Sequence, residues 1–252
     1  MNIYPGDARA VLPTLPAESV QLVVTSPPYN VGWDYADGGQ SDRLPLAEYK
    51  TLLADVMSEC HRVLRPGGVL VVNLPPTIRI QGQYRAYSVA AWLQIHLLDG
   101  PWLMREPVAW VKGKPGEARA KTTAWGAPTI SYLRPCYEVL VIGSKASYRI
   151  DGQTFNRDDL PLDVLKDVWH IPPARTRRGQ PAPFPDELVR RLVLLYSRPG
   201  DVVLDPFAGL GTVGRVARSL GRDAWLIERE PAYLPRLVEV ADGQPVTAPA
   251  AV

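Results

Sequence analysis

The chain has 252 residues and is 46% apolar, enough to bury the core of one α/β domain, and a formal charge of +2 is too small to indicate a nucleic-acid partner by itself. Two cysteines, Cys60 and Cys136, make no disulfide framework and have apolar neighbours, which predicts two core thiols; His61, His96 and His170 lack metal-ligand spacing, so no metal site is expected. No basic-then-apolar leader opens the chain and no apolar run reaches bilayer length, which predicts a cytoplasmic protein without a membrane partner. Only Lys50, Lys112, Lys114, Lys121, Lys145 and Lys166 are lysines, so arginine dominates the basic set. Arginine suits bidentate contacts to phosphate and guanine, although a GC-rich genome accounts for the same bias. With 26 prolines the connections should be stiff.

Met1 to Tyr4 is predicted as a short strand leading into Gly6-Asp7-Ala8, where Asp7 can cap a following helical turn. Val20 to Thr25 reads as a buried strand and ends in Thr25-Ser26-Pro27-Pro28-Tyr29-Asn30. Two prolines stop it, because neither donates a backbone hydrogen bond and each fixes its own φ. A hydroxyl, a rigid carbonyl-rich turn and an aromatic ring therefore sit at the carboxyl end of a core strand, the edge where open α/β sheets bind ligands. In isolation the same stretch also reads as a Pro-rich turn with a packing tyrosine. Val31 to Pro45 turns to Gly, Asp, Gln and Ser around Trp33 and Tyr35, either a moving segment able to close over a bound base or an inert surface loop.

Leu46 to Leu64 carries apolar residues at helical spacing, and Arg65-Pro66-Gly67-Gly68 is predicted to end that helix. A buried strand, Val69 to Leu74, follows and is closed by Pro75-Pro76; a less regular helix is expected from about Ala86 to Leu98. Leu103 to Lys112 and Tyr137 to Gly143 read as strands flanking the loop Gly113 to Pro135. Lys112, Lys114, Arg119 and Lys121 stand there against one acid, Glu117, beside Trp125, which suits phosphate contacts and base stacking or, equally, a solvated loop. Ser147 to Pro173 is mixed in charge and weakly periodic, and Arg175, Arg177 and Arg178 form a second basic cluster.

Pro185 in the first turn, followed by Asp186 and Glu187, starts a helix that continues through Leu188 to Tyr196. Val202 to Asp205 is predicted as a strand, Thr212 to Leu220 as a helix, Ala224 to Glu228 as a strand and Pro231 to Val240 as a last helix. The tail from Asp242 is expected to be disordered, leaving one domain over residues 1–241. After Asp205, Gly209, Gly211 and Gly214 spell G-x-G-x-x-G, with Glu228 about 20 residues on, as in the dinucleotide fingerprint. Spacing alone allows an NAD site. Asp205-Pro206 ahead of the glycines and the Ser-Pro-Pro-Tyr strand end argue against it.

Together the two motifs resemble the β class of amino-group DNA methyltransferases that use S-adenosylmethionine. In that family (D/N/S)-PP-(Y/F) precedes DPF-x-G-x-GT, as Ser26–Tyr29 precedes Asp205–Thr212 here, and the resemblance runs from Gly6-Asp7 to the strand ending at Glu228. Leu210, Gln21 and Gln180 depart from the family's usual small, acidic and histidine residues. The resemblance implies an α/β, Rossmann-like fold: a mostly parallel seven-stranded sheet with helices on both faces, its halves circularly permuted in the sequence. S-adenosyl-L-methionine would be the cofactor, with Asp7 and Ala8 beside its adenine and Glu228 on its ribose. Asp205, Pro206, Gly209 and Gly211 would line the cleft, Phe207 would pack near the cofactor, and Phe184 and Thr212 would lie near the methionine part.

Double-stranded DNA would be the substrate, with Lys112, Lys114, Arg119, Lys121, Arg175, Arg177 and Arg178 on its phosphates. A short target-recognition segment from about 144 to 178 would recruit the 113–135 loop or a second subunit, leaving room for a homodimer and for a cognate restriction endonuclease in a restriction-modification system. Ser26 rather than Asp before Pro-Pro-Tyr implies transfer to cytosine N4, with adenine N6 as the alternative. An NAD-dependent oxidoreductase and a DNA-binding module without catalysis stay open from other classes. For amino transfer, two acceptors on the amine's protons, Ser26 Oγ and the Pro27 carbonyl, would favour pyramidalisation and expose a lone pair otherwise delocalised into the ring. Pro28 would hold the turn, Tyr29 would stack on the base, and the base would have to leave the duplex stack. Neither a metal nor a covalent enzyme intermediate is required.

Overall fold

The computed structural model describes residues 1–32, 42–79, 86–112, 136–150, 160, 162–174 and 184–242. The first half of the chain holds β1 (Asn2–Pro5), α1 (Ala8–Val11), β2 (Val20–Thr25), α2 (Leu46–Val63), β3 (Leu64–Leu74), β4 (Ile78–Arg79), β5 (Ala86–Tyr87), α3 (Val89–Leu98) and β6 (Trp102–Met104). β7 (Val108–Val111), β8 (Tyr137–Lys145), β9 (Val168–His170), α4 (Asp186–Tyr196), β10 (Val202–Asp205), α5 (Thr212–Ser219), β11 (Asp223–Glu228) and α6 (Leu234–Ala241) follow.

β2 is buried at every position, as a strand covered on both faces must be, and lies between β10 and β3, both parallel to it. Beyond β10 come β11 and then β1, again parallel, so the first strand of the chain is laid beside the last. On the other side β8 runs antiparallel to β3, and β7 antiparallel to β8. The order β1-β11-β10-β2-β3-β8-β7 makes up the seven strands expected; three-residue strands β9 on β7 and β6 on β8 bring the described sheet to nine. Helices cover both faces. Val23, Leu70, Val72 and Leu74 pack with α2, α3 and α1, whereas Leu22, Val24, Val69 and Val71 pack with α4 and α5. That alternation is the period-two consequence of a strand buried on both sides.

Several boundaries differ from expectation. Arg65-Pro66-Gly67-Gly68 belongs to β3 rather than to a helix-ending turn. Gly67 has a φ of +78°, and a Cβ there would lie 2.4 Å from the Arg149 carbonyl oxygen, so glycine lets the strand kink where its register against β2 shifts. α3 starts at Val89 because Ala86 and Tyr87 pair with Arg79 and Ile78 instead. The run from 103 to 112 is split into β6 and β7, with Pro107, which has no N–H to give, in the break. The last helix begins as a 3₁₀ turn, Pro231–Tyr233. Cys136 is exposed, not a core thiol, because it precedes β8 rather than lying in it; Cys60 is buried as expected. No helix among the described residues is long and apolar enough to cross a membrane. The tail 243–252, the 113–135 loop and the 175–178 cluster lie outside the described residues.

Candidate active site

Parallel strands end together, and here their carboxyl ends carry the residues that the sequence motifs single out. β1 leads into Asp7, β2 into Ser26, β10 ends on Asp205 and β11 on Glu228; β3 adds Asn73, outside those motifs, one residue from its end. The antiparallel β8 contributes Glu138 from its start, and β7 is followed directly by Lys112. Together they wall a cavity of about 340 Å³. Asp7, Ala8, Ser26, Pro27, Pro28, Tyr29, Lys112, Phe184, Asp205, Pro206, Phe207, Gly209, Thr212 and Glu228 all line it.

Gly211 does not line the cavity. It has a φ of +76°, precedes the first residue of α5, and a Cβ there would meet Leu237 at 2.7 Å. The turn and the packing both call for glycine at this position. Lys114, Arg119, Lys121, Arg175, Arg177 and Arg178 lie outside the described residues, as do Trp33, Tyr35 and Trp125.

One half of the cavity is acidic. Asp205 is buried; its Oδ1 accepts from Thr25 Oγ1 at 2.7 Å and from the Phe207 N–H at 3.1 Å. Burial, reinforced by the neighbouring Glu228 charge, pushes its carboxyl up to about 7 despite those two bonds. Glu228 accepts from the Gly209 N–H and the Glu230 N–H, each at 2.7 Å, which pins its carboxylate across the glycine turn; burial raises its pKa as well. Asp7 both caps α1, accepting from the Arg9 N–H at 2.9 Å, and takes the Arg9 guanidinium at 3.1 Å on each oxygen. That guanidinium holds the Asp7 carboxyl below its ordinary value.

The other half is a hydrogen-bonded chain. Ser26 Oγ donates to the Tyr29 hydroxyl at 2.9 Å, and that hydroxyl donates to Glu138 Oε2 at 3.0 Å. Asn73 Nδ2 donates to the Tyr29 oxygen at 2.7 Å and to Glu138 Oε2 at 2.6 Å, while Lys112 Nζ donates to Glu138 Oε1. Burial first, and the Glu138 charge second, raise the Tyr29 phenol well above its ordinary value, so it keeps its proton. The Tyr49 hydroxyl donates to the Pro28 carbonyl at 2.8 Å and braces the proline turn from α2. Beyond the turn, the Asn30 amide exchanges two hydrogen bonds with the Leu44 backbone, and Asp42 accepts from the Val31 and Gly32 N–H groups, so both ends of the segment between are tied to the rim.

Lys112, expected on DNA phosphate, is paired with Glu138 here, and its ammonium lies 5.0 Å from the centre of the Trp110 ring. Asn73 and Glu138 belong to neither sequence motif. Each is one polar residue inside a strand run of apolar or aromatic residues, Val69 to Leu74 and Tyr137 to Ile142, and a polar group that a core strand tolerates is the signal that could have found them.

A sequence profile for the N6/N4 DNA methylases matches residues 20–239. The type II methyltransferase M.BglII of Bacillus subtilis is 30% identical over 97% of this chain and 69% of its own length. The DNA adenine methyltransferase YhdJ of Escherichia coli is 31% identical over 92% of this chain and 80% of its own. TTHA0409 of Thermus thermophilus, solved in complex with S-adenosyl-L-methionine, is 30% identical and superposes with a TM-score of 0.72 over 98% of this chain and 95% of that one. The PvuII DNA methyltransferase (cytosine-N4-specific) shares the fold, with a TM-score of 0.74 over 94% and 85% of the two chains at 19% identity. This chain therefore belongs to the N6/N4 DNA methylase family and takes its methyl group from S-adenosyl-L-methionine.

Proposed function

We propose that this chain methylates the exocyclic N4 amino group of cytosine in double-stranded DNA, with cofactor and extrahelical base side by side in the cavity at the sheet edge. The observation that carries the choice of base is Ser26, where the family's usual division has serine in cytosine enzymes and aspartate in adenine enzymes. Adenine N6 is the second reading, favoured by the 31% identity to an enzyme named an adenine methyltransferase.

The acidic half of the cavity suits the cofactor. Three carboxyl groups, Asp7, Asp205 and Glu228, face a space also lined by Phe184, Phe207 and Ile227, a combination fit for a cation that carries hydroxyls and an aromatic base. When bound, S-adenosyl-L-methionine supplies a methyl group on a sulfonium, already electrophilic. Asp7 takes the adenine amino group, with Ala8 beside it. Glu228, oriented by the two N–H groups it accepts, has lone pairs left for the ribose hydroxyls. Phe207 packs along the cofactor, and Phe184 and Thr212 border its amino-acid end.

The protein's part in the chemistry is to hold the amine. Ser26 Oγ has directed its own proton to Tyr29, so it meets the cavity as an acceptor. The Pro27 carbonyl is a second acceptor, restrained by the rings on both sides. Two such contacts favour a pyramidal nitrogen and aim its lone pair at the methyl group. Tyr29 offers its ring to the base face. Ser26 is too weak a base to remove a proton first, so the proton leaves once the nitrogen has been methylated. Arg175, Arg177 and Arg178, with Lys114, Arg119 and Lys121, contact the DNA phosphates.

Methylation-aware sequencing of DNA from cells expressing the protein, with nucleosides resolved by mass spectrometry, tests this directly. N4-methylcytosine in one sequence context is expected. N6-methyladenine would overturn the choice of base, and unmodified DNA the activity.

A further inference from the structure

Glu138 is an acid inside a core strand. It lies on β8 with Leu140, Val141 and Ile142 buried just beyond it, and is itself 7% exposed. A carboxylate in such a place is tolerated only when donors surround it. Three do, from three other strand ends: Lys112 after β7, Asn73 on β3 and Tyr29 after β2. None of them is close to Glu138 in sequence.

The protons along this chain have a direction. A carboxylate has none to give, so Asn73 must turn its amide nitrogen toward Glu138, and Tyr29 must spend its single proton there. The Tyr29 oxygen can then only accept, which it does from Asn73 and from Ser26. Ser26 thereby commits its proton to a hydrogen bond with Tyr29 and shows lone pairs to the cavity. With no acceptor at position 138 the tyrosine could donate to Ser26 instead. The serine hydroxyl would then point its hydrogen at the incoming amine, and the acceptor would be gone.

We propose that Glu138 is a positioning residue for methyl transfer: by accepting the Tyr29 hydrogen bond it sets the direction of the Ser26–Tyr29–Glu138 chain and keeps Ser26 an acceptor. The inference rests on Ser26 accepting from the target amine, as stated under the proposed function. Lys112 and Asn73 hold the carboxylate in place and offset its burial.

The test is single-turnover methyl transfer, with saturating protein and labelled S-adenosyl-L-methionine, to duplex DNA bearing the site that sequencing identifies. Glu138→Gln keeps the shape but offers an amide that can itself donate. It should slow transfer roughly 10–100-fold, the range for one hydrogen bond to a charged group. Cofactor affinity, measured by calorimetry, should change less than about twofold, because the carboxylate lies in the half of the cavity assigned to the base.

Tyr29→Phe keeps the ring and removes the hydroxyl through which Glu138 acts, so Glu138→Gln added to it should cost less than about threefold more. A general structural defect would multiply with Tyr29→Phe in full. Full multiplication, or a wild-type rate in Glu138→Gln, would overturn the proposal. If Glu138→Gln fails to fold by circular dichroism, Tyr29→Phe alone decides: an undiminished rate overturns it and a tenfold loss or more supports it. An N6-methyladenine product would remove the cytosine assignment and leave this cycle intact, so the two can fail separately.

Discussion

Ser26 brings one proton and two lone pairs to the strand end, and the structure commits the proton to Tyr29. Removing the hydroxyl in Ser26→Ala should lower single-turnover methyl transfer about 10²–10³-fold, as for other lost transition-state partners, with cofactor affinity unchanged. Ser26→Asp restores an acceptor and should keep part of the rate, with adenine admitted as a substrate; nucleoside mass spectrometry of the product reads both. A full rate in Ser26→Ala would make the stretch structural. Glu228→Ala should weaken S-adenosyl-L-methionine by more than about tenfold, one charge-assisted pair at roughly 1.5–3 kcal/mol, and unchanged calorimetric affinity would remove it from the site. Asp205 gives a pH test. Its carboxyl titrates near 7 in the fold against about 3.9 in an unfolded chain, so the folded state binds that proton more tightly. Its contribution to stability is therefore fully present below about pH 4 and is lost as pH rises through about 7. A cation bound in the same cavity favours the ionised form, so S-adenosyl-L-methionine affinity should rise from about pH 6 to pH 8 with release of a proton. Calorimetry in two buffers of different ionisation enthalpy measures that release, and Asp205→Asn should abolish it.

At the scale of elements, the site exists because strands of one direction end on one edge. β2 and β10 are neighbours, which brings Thr25 onto Asp205 at 2.7 Å although the two lie 180 residues apart. The opposite end of β3 needs a glycine for a different reason. At Gly67 a side chain would have to take a left-handed backbone and push into the Arg149 carbonyl. Gly67→Ala should destabilise the fold by about 2–4 kcal/mol, the sum of left-handed strain and a clash with a backbone that cannot rotate away. Thermal unfolding measures this as a fall of several degrees, and an unchanged melting temperature would show that β3 can enter the sheet without the kink.

At the scale of the whole molecule, the sheet joins the end of the chain to its beginning: β1 pairs along β11, and the N-terminal amine lies 3.0 Å from Asp223. The Ser26–Tyr29 motif precedes the Asp205–Thr212 motif in sequence, yet both open on one edge. On the proposed reading DNA approaches that edge, and with a net charge of only +2 the attraction has to come from clusters. Replacing Arg175, Arg177 and Arg178 by alanine should flatten the log–log dependence of DNA affinity on salt by up to about 2.7, at about 0.9 per phosphate contact. Anisotropy titrations over a salt series give the slope, and no change would put the DNA on another surface.

What the sequence determined by itself is what short stretches dictate. The apolar run of β2, its proline stop and the glycine turn after Asp205 are local, since dihedral restriction and strand burial act within a few residues. So Ser26, Tyr29, Asp205 and Glu228 are legible before any fold is known. Glu138 and Asn73 are not, because an acid or an amide in a strand acquires a role only from what faces it. Tyr29 and Glu138 are 109 residues apart and Asn73 and Glu138 are 65, and only the order and register of β2, β3 and β8 bring them within hydrogen-bonding distance. Charge alone marks Lys112 as a cation, and only the sheet shows the buried carboxylate it is paired with. Spacing alone marks Gly211, and only the fold shows that it also packs against Leu237. Hydrogen bonds reach about 3 Å, so which polar groups meet is decided by strand pairing, a property of the whole sheet and of no single segment.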